Sequence, residues 1–375
     1  MKNSETKNSE TRNSSNNGNV IVHIVQHLAP GGLETLVLEM LRFAKAEDSV
    51  FVISLEGNKQ TALNHWEKLA GFEDQLHFLN KPSGFHLSTF KVLKAKLKQL
   101  NANVVHTHHI GPLLYGGTAA RLNGIKTLIH TEHDAWHLNN KKAARLQSTL
   151  LKVLRPQVVA DADFVADQIT NKLGYQRVST IHNGIDCEKF TDGNPQKARE
   201  FFSLPTDKFI VGTAGRLETV KGQEILIKAF SHLPKNTHLA LAGCGSQRGI
   251  LEAQVRTLGL EDRVTFLGLV SDMPRFYQSL NVFCLPSLQE GFPLSTLEAQ
   301  ACGVPCIASD VGAVKETLCP QIGALVEPNK VPMLADALSQ QLSQTPQSPR
   351  AHILQHFDIR NMVNRYATLA QGENA

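Results

Sequence analysis

Three features that would place the chain in a particular class of protein are missing from it. No apolar run approaches the roughly 20 residues of a membrane-spanning helix, and the N-terminus has no signal-peptide core. None of the six cysteines shows the CxxC spacing of metal sites, so we expect reduced thiols that act as small hydrophobic residues. The net charge of +4 is too small to indicate nucleic-acid binding. These absences favour a cytoplasmic protein whose partners are small anionic ligands or an anionic lipid surface.

The composition is that of a globular protein with two domains. Of the 375 residues, 42% are hydrophobic and 19% are charged. The chain is about twice as long as a typical domain, so each half can bury its own core. Residues 1–18 repeat a polar pentapeptide and have no apolar residue after Met1, which predicts a disordered tail.

Short apolar runs alternate with segments of helical periodicity along the rest of the chain. In the first half, VIVHIV, VFVISL, LHFL, NVVHTH, TLIHTE and STIHNG are strand-like, with helical patterns such as GGLETLVLEML between most of them. After the turn-rich HNGIDCEKFTDGN, the alternation restarts with FIVGTAG, HLALAG, VTFLG, NVFCLP, PCIASD and GALV. Repeated strand and helix predict an α/β chain with two doubly wound parallel sheets, one in each of two Rossmann-like domains.

The predicted domains span residues 19–186 and 187–349, with a hinge near residues 184–194. Residues 350–372 follow the last predicted strand as a helix that can pack on either domain. Ligands of open parallel sheets bind beyond the carboxyl ends of the strands. Two such domains that face each other leave a cleft, and we expect the chemistry in the loops that follow the strands.

Two of these loops carry groups suited to anionic ligands. Gly31 and Gly32 precede a helix whose free N–H groups and positive dipole end favour an anion. In the second half, Arg216 and Lys221 flank a helix start, where a guanidinium and an ammonium suit the oxygens of a pyrophosphate. Each pattern alone is also typical of a packing turn or of solvated cations. Arg216 and Lys221 lie at the same predicted sheet edge as two glutamates of the segment EGFPLSTLEAQ, which supports the functional interpretation of their loop.

The segment EGFPLSTLEAQ holds two glutamates, Glu290 and Glu298, which are separated by seven residues. Glu298 lies about one turn into a predicted helix, where its two acceptor oxygens match the vicinal diol of a ribose. Glu290 lies in the preceding loop, where it can reach a second polyol on the other side of the phosphates. The start of the helix between them forms an anion site. The predicted donor-binding segment therefore comprises Gly291, Phe292, Pro293, Leu294 and Ser295.

This glutamate spacing resembles the donor-site signature of retaining glycosyltransferases of the GT-B fold, specifically glycosyltransferase family four. GGLETLVLEML, HNGIDCEKF, GRLETVKG, LAGCGSQRGILE and VTFLGLV also follow that family's order, from Asn19 to about Ala370. The resemblance implies a UDP- or GDP-sugar held mainly by the C-terminal half and an acceptor held by the N-terminal half. It also implies a final helix that packs on the N-terminal domain. The TEHD loop resembles subgroups that act in exopolysaccharide or lipopolysaccharide assembly.

The resemblance also implies a mechanism and assigns roles to single residues. The acceptor, a saccharide or a lipid-linked saccharide, attacks the front face, and the departing diphosphate takes its proton; no metal or cofactor is needed. Four residues are expected to be catalytic: His133 near the donor sugar, Arg216 and Lys221 as the diphosphate clamp, and Glu290 on the sugar hydroxyls. Glu298 is expected to bind ribose, and Gly32 to let the phosphates approach.

Other functions remain open at this point. The sixteen histidines, including His106, His108 and His133, invite a metal site, but no HExxH-like carboxylate accompanies them. The glycines of LAGCGSQRG do not fit the dinucleotide fingerprint of an oxidoreductase. A non-hydrolysing sugar-nucleotide epimerase or a catalytically silent sugar-nucleotide-binding protein would share the donor site. Product analysis with donor alone identifies the first, and tight donor binding without turnover identifies the second.

The segment 87–100 is amphipathic. Phe90, Leu93, Leu97 and Leu100 share one helical face, and Lys91, Lys94 and Lys98 lie on the other. A helix packed on the core with a solvated lysine face explains this pattern. The alternative is a peripheral contact with anionic lipid on the inner face of a membrane while the enzyme works on a lipid-linked acceptor.

Overall fold

A computed structural model describes residues 18–345 and 347–372 of the chain, and the predicted polar tail up to residue 17 lies outside them. Two parallel sheets are present, each covered by helices on both faces, so the predicted fold class is confirmed. All strand pairs within the sheets are parallel, including the central pairs β1–β4 and β8–β11 defined below.

The first sheet has seven strands in the order β3-β2-β1-β4-β5-β6-β7. The chain winds outward from β1 in one direction and then from β4 in the other, so the switch of direction lies between β1 and β4. The strands are β1 (Val20–Val25), β2 (Ser49–Ser54), β3 (Leu76–Phe78), β4 (Val104–His108), β5 (Thr127–Glu132), β6 (Gln157–Ala160) and β7 (Val178–Thr180).

The second sheet has six strands in the order β10-β9-β8-β11-β12-β13, with its switch between β8 and β11. Loops that leave neighbouring strands at such a switch diverge and leave a crevice between them. The strands are β8 (Phe209–Ala214), β9 (Thr237–Ala242), β10 (Val264–Gly268), β11 (Val282–Leu285), β12 (Cys306–Ser309) and β13 (Ala324–Val326).

Fifteen helices are present in the described part of the chain. In the first half they are α1 (Gly32–Arg42), α2 (Lys59–His65), α3 (Leu87–Gln99), α4 (Ile110–Pro112), α5 (Thr118–Leu122), α6 (Lys141–Leu154) and α7 (Asp163–Leu173). The second half contains α8 (Pro195–Phe201), α9 (Gln223–Phe230), α10 (Arg248–Thr257), α11 (Met273–Gln278), α12 (Leu294–Ala301), α13 (Val331–Ser343), α14 (Arg350–His356) and α15 (Ile359–Ala370).

The chain end does not form the single helix expected over 350–372. It forms α14, which packs on α12 of the second half, and α15, which packs on α1 and β5 of the first. The helices are separate because the backbone between them bonds elsewhere: the N–H of Ile185 donates to the carbonyl of Phe357 (2.9 Å), and that of Ile359 donates to Ile185 (2.9 Å). Asp358 then caps α15 by accepting from the N–H of Arg360 (2.8 Å).

Helix α15 covers one face of the first sheet with an apolar side. Met362, Tyr366 and Leu369 lie in one buried cluster with Met40 of α1 and Val159 of β6. Burying such side chains stabilises the fold by about 1.5–3 kcal/mol each. The chain therefore enters the second half near residue 190 and returns to the first half near residue 358, so two segments cross between the sheets.

Candidate active site

Lys221 and Glu290 meet at the switch point of the second sheet. Lys221 ends a short helical turn after β8, and Glu290 lies in the loop after β11. The Lys221 ammonium donates to Glu290 Oε1 (2.6 Å), and the Ser287 hydroxyl donates to the same oxygen (2.6 Å). Both side chains are largely buried, at 23% and 9% exposure, so water screens this ion pair only in part.

Close backbone contacts hold the two loops together. Gly222 has a φ of +67°, and a Cβ built on it would lie 2.1 Å from the carbonyl oxygen of Pro286. The Leu288 N–H donates to the carbonyl of Val220 (2.8 Å). The positive φ and the lack of room for a Cβ both require glycine at position 222. The close approach fixes the distance between the loops that carry Lys221 and Glu290.

Arg216 and Glu298 line a neighbouring cavity of about 330 Å³ at the same sheet edge. Glu298 Oε2 accepts a hydrogen bond from the Tyr277 hydroxyl (2.7 Å). Burial raises the pKa of the Glu298 carboxyl, and burial together with the adjacent Glu298 raises the pKa of Tyr277 well above its usual range. Arg216 is exposed and pairs with no carboxylate in the part of the chain that the structure describes. Cys244, an exposed cysteine, also lines this cavity, whereas the other five free thiols are buried.

Helix α12 begins inside the predicted donor-binding segment, and the ring of Phe292, just before the helix, packs on the first half of the chain. Pro293 precedes the first helical residue, Leu294, and no side chain caps the helix. Ser295 lines the cavity beside Glu298. Phe292 is buried and stacks on His182, with ring centroids 5.6 Å apart. Its side chain therefore holds the loop against the first half and does not line the cavity.

The loop between β11 and α12, which carries Glu290 and Gly291, touches the first half of the chain at His133. A Cβ on Gly291 would lie 2.7 Å from the carbonyl oxygen of His133, so any larger residue would push the two halves apart. This contact brings Glu290 and His133 to the same place in the cleft. By contrast, Gly31 and Gly32 are exposed at the start of α1, and no hydrogen bond in the described residues joins them to the second half.

The ring of His133 ends a hydrogen-bonded chain of imidazoles. Its Nδ1 lies 3.3 Å from Asp161 Oδ2, and its Nε2 lies 3.0 Å from Nδ1 of His108. His108 in turn meets Nδ1 of His23 through its Nε2 (3.2 Å). One proton on each Nδ1 satisfies every contact, with each ring donating toward Asp161. Both ring nitrogens of His133 are therefore engaged within the protein.

Burial keeps the inner imidazoles uncharged. It lowers the pKa of His23 to about 4, and burial with the neighbouring rings lowers the pKa of His106 and His108 well below the usual value. Nitrogens of these three residues lie within 4.8 Å of one another, as metal ligands can. However, His106 Nε2 already meets the Thr131 hydroxyl (2.7 Å), and His23 and His108 meet each other.

A second buried network surrounds Glu132, the last residue of β5. His130 Nε2 lies 2.9 Å from its Oε1, Gln147 donates to the same oxygen, and His109 Nδ1 lies 3.5 Å from Oε2. Although burial opposes it, hydrogen bonds from His109 and His130 hold the pKa of Glu132 well below its usual range. His109 adopts a φ of +66° and a ψ of 169°, a strained conformation that clusters at functional sites.

The sequence did not identify several groups of this site: Tyr277, Ser287, Asp161 and Glu132. Asp161 and Ser287 follow strands, Tyr277 lies on a helix, and Glu132 ends β5. Most of their partners are distant along the chain, as for Tyr277 with Glu298 and Glu132 with Gln147. A larger cavity of about 960 Å³ lies at the opposite end of the first sheet, near Arg155 and Arg177. It contains none of the predicted site residues, so size alone does not locate the chemistry.

Two parallel-sheet domains with a polar site at the facing sheet edges define the GT-B class of glycosyltransferases. Solved structures support this fold. HepE of Anabaena in complex with UDP aligns with a TM-score of 0.83 at 21% identity, covering 94% of this chain and 100% of that one. WaaG, a glycosyltransferase involved in lipopolysaccharide biosynthesis, aligns with a TM-score of 0.67 at 16% identity, covering 94% and 100%.

Family models identify the chain more closely. The model for Glycosyltransferase Family 4 matches residues 30–189, and the model for Glycosyl transferases group 1 matches residues 195–354. The chain therefore belongs to the family 4 glycosyltransferases. It is similar to D-inositol 3-phosphate glycosyltransferase of Mycolicibacterium smegmatis, with 32% identity over 266 residues and 65% of this chain covered. That match spans 60% of the relative's length.

Proposed function

We propose that the protein transfers a sugar, with retention, from a nucleoside-diphosphate sugar to a saccharide or lipid-linked saccharide acceptor in polysaccharide or lipopolysaccharide biosynthesis. The observation that carries the proposal is the convergence of Lys221, Glu290 and the cavity of Arg216 and Glu298 on one sheet edge that faces His133. HepE has been solved with UDP and with UDP-glucose, which supports a donor of this class.

The donor would lie along the sheet edge in a fixed order. Glu298 and Tyr277 would hold the ribose in the cavity, and Arg216 and Lys221 would hold the diphosphate. Glu290 would then meet hydroxyls of the transferred sugar beside His133. Two cations facing a dianionic diphosphate neutralise it without a metal, which is why we propose metal-independent catalysis.

The reaction breaks the bond between the anomeric carbon and the diphosphate oxygen. Negative charge develops on that oxygen, where Arg216 and Lys221 stabilise it. The acceptor hydroxyl attacks the same face of the sugar, and its proton passes to the departing diphosphate. The imidazole chain behind His133 would hold its ring fixed, so that the part of His133 that faces the sugar is its backbone carbonyl.

The N-terminal domain carries what we call the basic face, formed by α3, α5 and α6. Helix α3 contacts α5, and the turn that leads into α5 contacts α6. Leu87 and Val92 of α3, and Phe85 just before it, are exposed at 58%, 54% and 65%. Between residues 75 and 160 the only acids are Glu132 and Asp134, against Lys81, Lys91, Lys94, Lys96, Lys98, Arg121, Lys126, Lys141, Lys142, Arg145, Lys152 and Arg155.

Exposed apolar side chains next to an excess of Lys and Arg suit the surface of an anionic bilayer. Exposed apolar side chains enter the interface while lysines meet the lipid headgroups, each worth about 1 kcal/mol near the surface. No helix in residues 18–345 and 347–372 is long and apolar enough to cross a membrane. The proposed association is therefore peripheral, and it would bring the N-terminal domain to a lipid-linked acceptor.

A turnover assay tests the proposal. Purified protein is incubated with UDP-, GDP-, ADP- and TDP-sugars, with and without a saccharide acceptor and with and without EDTA, and nucleoside diphosphate and sugar products are measured. The proposal is supported if nucleoside diphosphate is released and the new glycosidic bond has the same anomeric configuration, α or β, as the donor. Both results should be unaffected by EDTA. Isomerised donor without release identifies an epimerase. Tight binding without turnover on any acceptor identifies a silent binding protein.

A further inference from the structure

Glu316 connects the two halves of the chain at a distance from the donor cavity. It lies in the helical turn Val314–Thr317 of the C-terminal half, after β12. Its Oε2 accepts from the N–H of Asp163 (2.7 Å) and lies 3.0 Å from Nε2 of His182. Its Oε1 accepts from the N–H of Phe164 (2.8 Å). All three of these partners belong to the N-terminal half.

The contact supplies what α7 lacks by itself. The first N–H groups of any helix have no partner within it, and its N-terminus carries partial positive charge. Ala162 precedes α7 and has no side-chain oxygen to cap it. The Glu316 carboxylate accepts from the first two helical residues instead. The N-terminus of α7 is thus completed only when the two halves are close together.

On the C-terminal side, the segment that carries Glu316 supports the loop between β11 and α12, which carries Glu290 and Gly291. The N–H of Ala313 donates to the carbonyl of Gly291 (3.1 Å). Gly312 has a φ of +57°, and its Cβ would lie 2.0 Å from the carbonyl oxygen of Glu290. The backbone at residues 312–313 therefore fixes the loop that presents Glu290 to the cleft.

On the N-terminal side, the partners of Glu316 flank the groups that hold His133. Asp161, which lies 3.3 Å from His133 Nδ1, is two residues before Asp163. Asn183, which donates to Asp161 Oδ2 (2.9 Å), follows His182. His182 also stacks on Phe292 of the loop between β11 and α12. One carboxylate thus touches both strand-exit loops that orient His133.

We propose that Glu316 is a positioning residue that links closure of the domains to alignment of Glu290 and His133. The inference rests on the proposed transfer reaction for its kinetic consequence, but not for its structural one. Loss of the Glu316 contacts frees the α7 turn and His182, and the domains then populate more open arrangements. Glu316 does not line the cavity at Arg216 and Glu298, so we expect the affinity of that cavity for nucleoside diphosphate to be unchanged.

The charge state of Glu316 fits this role. Although burial opposes it, hydrogen bonds from His182 and from the N–H groups of Phe164 and Asp163 lower the pKa of its carboxyl. It is therefore ionised at neutral pH, as a helix-capping acceptor should be. Hydrogen bonds to ionised acceptors are roughly twice as strong as neutral ones.

The test compares Glu316→Gln with wild type and with Glu252→Gln, whose carboxylate pairs with Arg248 on an exposed helix. Glutamine keeps the size of the side chain but places an NH₂ group toward backbone N–H donors. We expect kcat to fall by about tenfold or more while the Kd for nucleoside diphosphate stays within about twofold. Small-angle X-ray scattering should give a larger radius of gyration for this variant than for wild type and the control.

Three results would overturn the inference: an unchanged radius of gyration, a kcat within about twofold of wild type, or an equal loss in Glu252→Gln. If no donor is turned over by the wild-type protein, the transfer proposal fails, and scattering alone still decides whether Glu316 holds the domains together. Should Glu316→Gln not fold, His182→Phe keeps the stacking on Phe292 but removes one donor. Its radius of gyration must then also increase if the inference is correct.

Discussion

At the scale of single residues, the site is defined by charges that are partly shielded from water. Lys221 and Glu290 neutralise each other at 2.6 Å, and Glu298 is paired with Tyr277 at 2.7 Å. These hydrogen bonds hold the buried side chains in place. A diphosphate or a sugar hydroxyl can replace one partner of each pair. Removing one partner of a buried pair costs more than the pair itself contributes, because the remaining charge is left without a counterion.

Lys221→Ala should lower kcat strongly. The ammonium is the buried cation at the sheet edge, and loss of one charge-stabilising donor costs about 3 kcal/mol of transition-state stabilisation, or roughly a hundredfold in rate. Steady-state kinetics with donor and acceptor measure this loss. Lys228→Ala is the matched control, since Lys228 pairs with Glu224 on an exposed helix face. Near-native turnover in Lys221→Ala would show that Lys221 does not bind the diphosphate.

His137 should make stability depend on pH. Although partial burial opposes it, Asp134, Glu132 and Gln147 raise the pKa of His137 from 6.5 to about 9. The raised pKa means that the folded state holds the proton more tightly. This stabilisation is fully present below pH 6.5 and is lost as the pH rises through 9. Since the side chain is 21% exposed, we expect a loss of about 2 kcal/mol rather than the full value of the shift.

Urea unfolding of wild type and His137→Gln from pH 6 to pH 9.5 measures this effect. The difference in free energy of unfolding between the two proteins should shrink as the pH rises, because only wild type loses the His137 contribution. Other titrating groups affect both proteins and cancel in the comparison. Parallel curves for the two proteins would contradict the assignment of charge to His137.

At the scale of secondary-structure elements, close approach of loops at the switch point of the second sheet builds the site. A substitution at Gly222 tests this close approach most directly. Gly222→Ala would place a Cβ 2.1 Å from the carbonyl oxygen of Pro286 at a φ of +67°. We expect a loss of about 1–3 kcal/mol in stability, and a lower kcat because the loops of Lys221 and Glu290 separate.

Thermal unfolding and steady-state kinetics of Gly222→Ala measure both effects. Gly249→Ala is the control, since a Cβ at Gly249, inside α10, would meet no atom within 4 Å. Alanine in a helix is favoured over glycine, so this control should be more stable by about 0.5–1 kcal/mol. An unchanged melting temperature and kcat in Gly222→Ala would show that the two loops can move apart freely.

Elements of this fold were predictable from the sequence where their pattern was long or repeated. Twelve of the thirteen strands overlap apolar runs named from the sequence, and α12 starts where EGFPLSTLEAQ indicates. The exception, β6, has only the four residues Gln157–Ala160 between Pro156 and the polar Asp161. The break between α14 and α15 was not predictable, because it depends on backbone bonds to Ile185, which is distant in sequence.

The candidate site was only partly predictable for the same reason. Lys221, Glu290 and Glu298 share a local pattern that carries a family resemblance, and the structure brings Lys221 and Glu290 into contact. The imidazole chain joins His23 of β1, His108 of β4 and the Asp161 loop, which no local pattern relates. Packing of parallel strands in register creates it, so only the folded chain reveals that both ring nitrogens of His133 are engaged.

At the scale of the whole molecule, charge is distributed unevenly between the halves. The net charge of +4 looks unremarkable, yet the stretch from residue 75 to residue 160 has only Glu132 and Asp134 as acids. Acidic residues in the rest of the chain offset this local excess of cations, so the net charge of the whole chain stays small. A local excess of cations with exposed Phe85, Leu87 and Val92 indicates a surface function that the average composition conceals.

The protein should therefore bind anionic vesicles in a salt-sensitive manner. Sedimentation with phosphatidylglycerol-containing vesicles, compared with pure phosphatidylcholine, measures the bound fraction at about 50 mM and 300 mM salt, where screening differs strongly. Lys91 and Lys98 are exposed on α3, so the double variant Lys91→Glu, Lys98→Glu should bind roughly tenfold or more weakly, given about 1 kcal/mol per lysine. Lys197→Glu, Lys235→Glu changes the net charge equally on the C-terminal half and should bind as wild type does. Equal losses in both double variants would mean that total charge, not the basic face, drives the association, and no binding at low salt would exclude the membrane contact altogether.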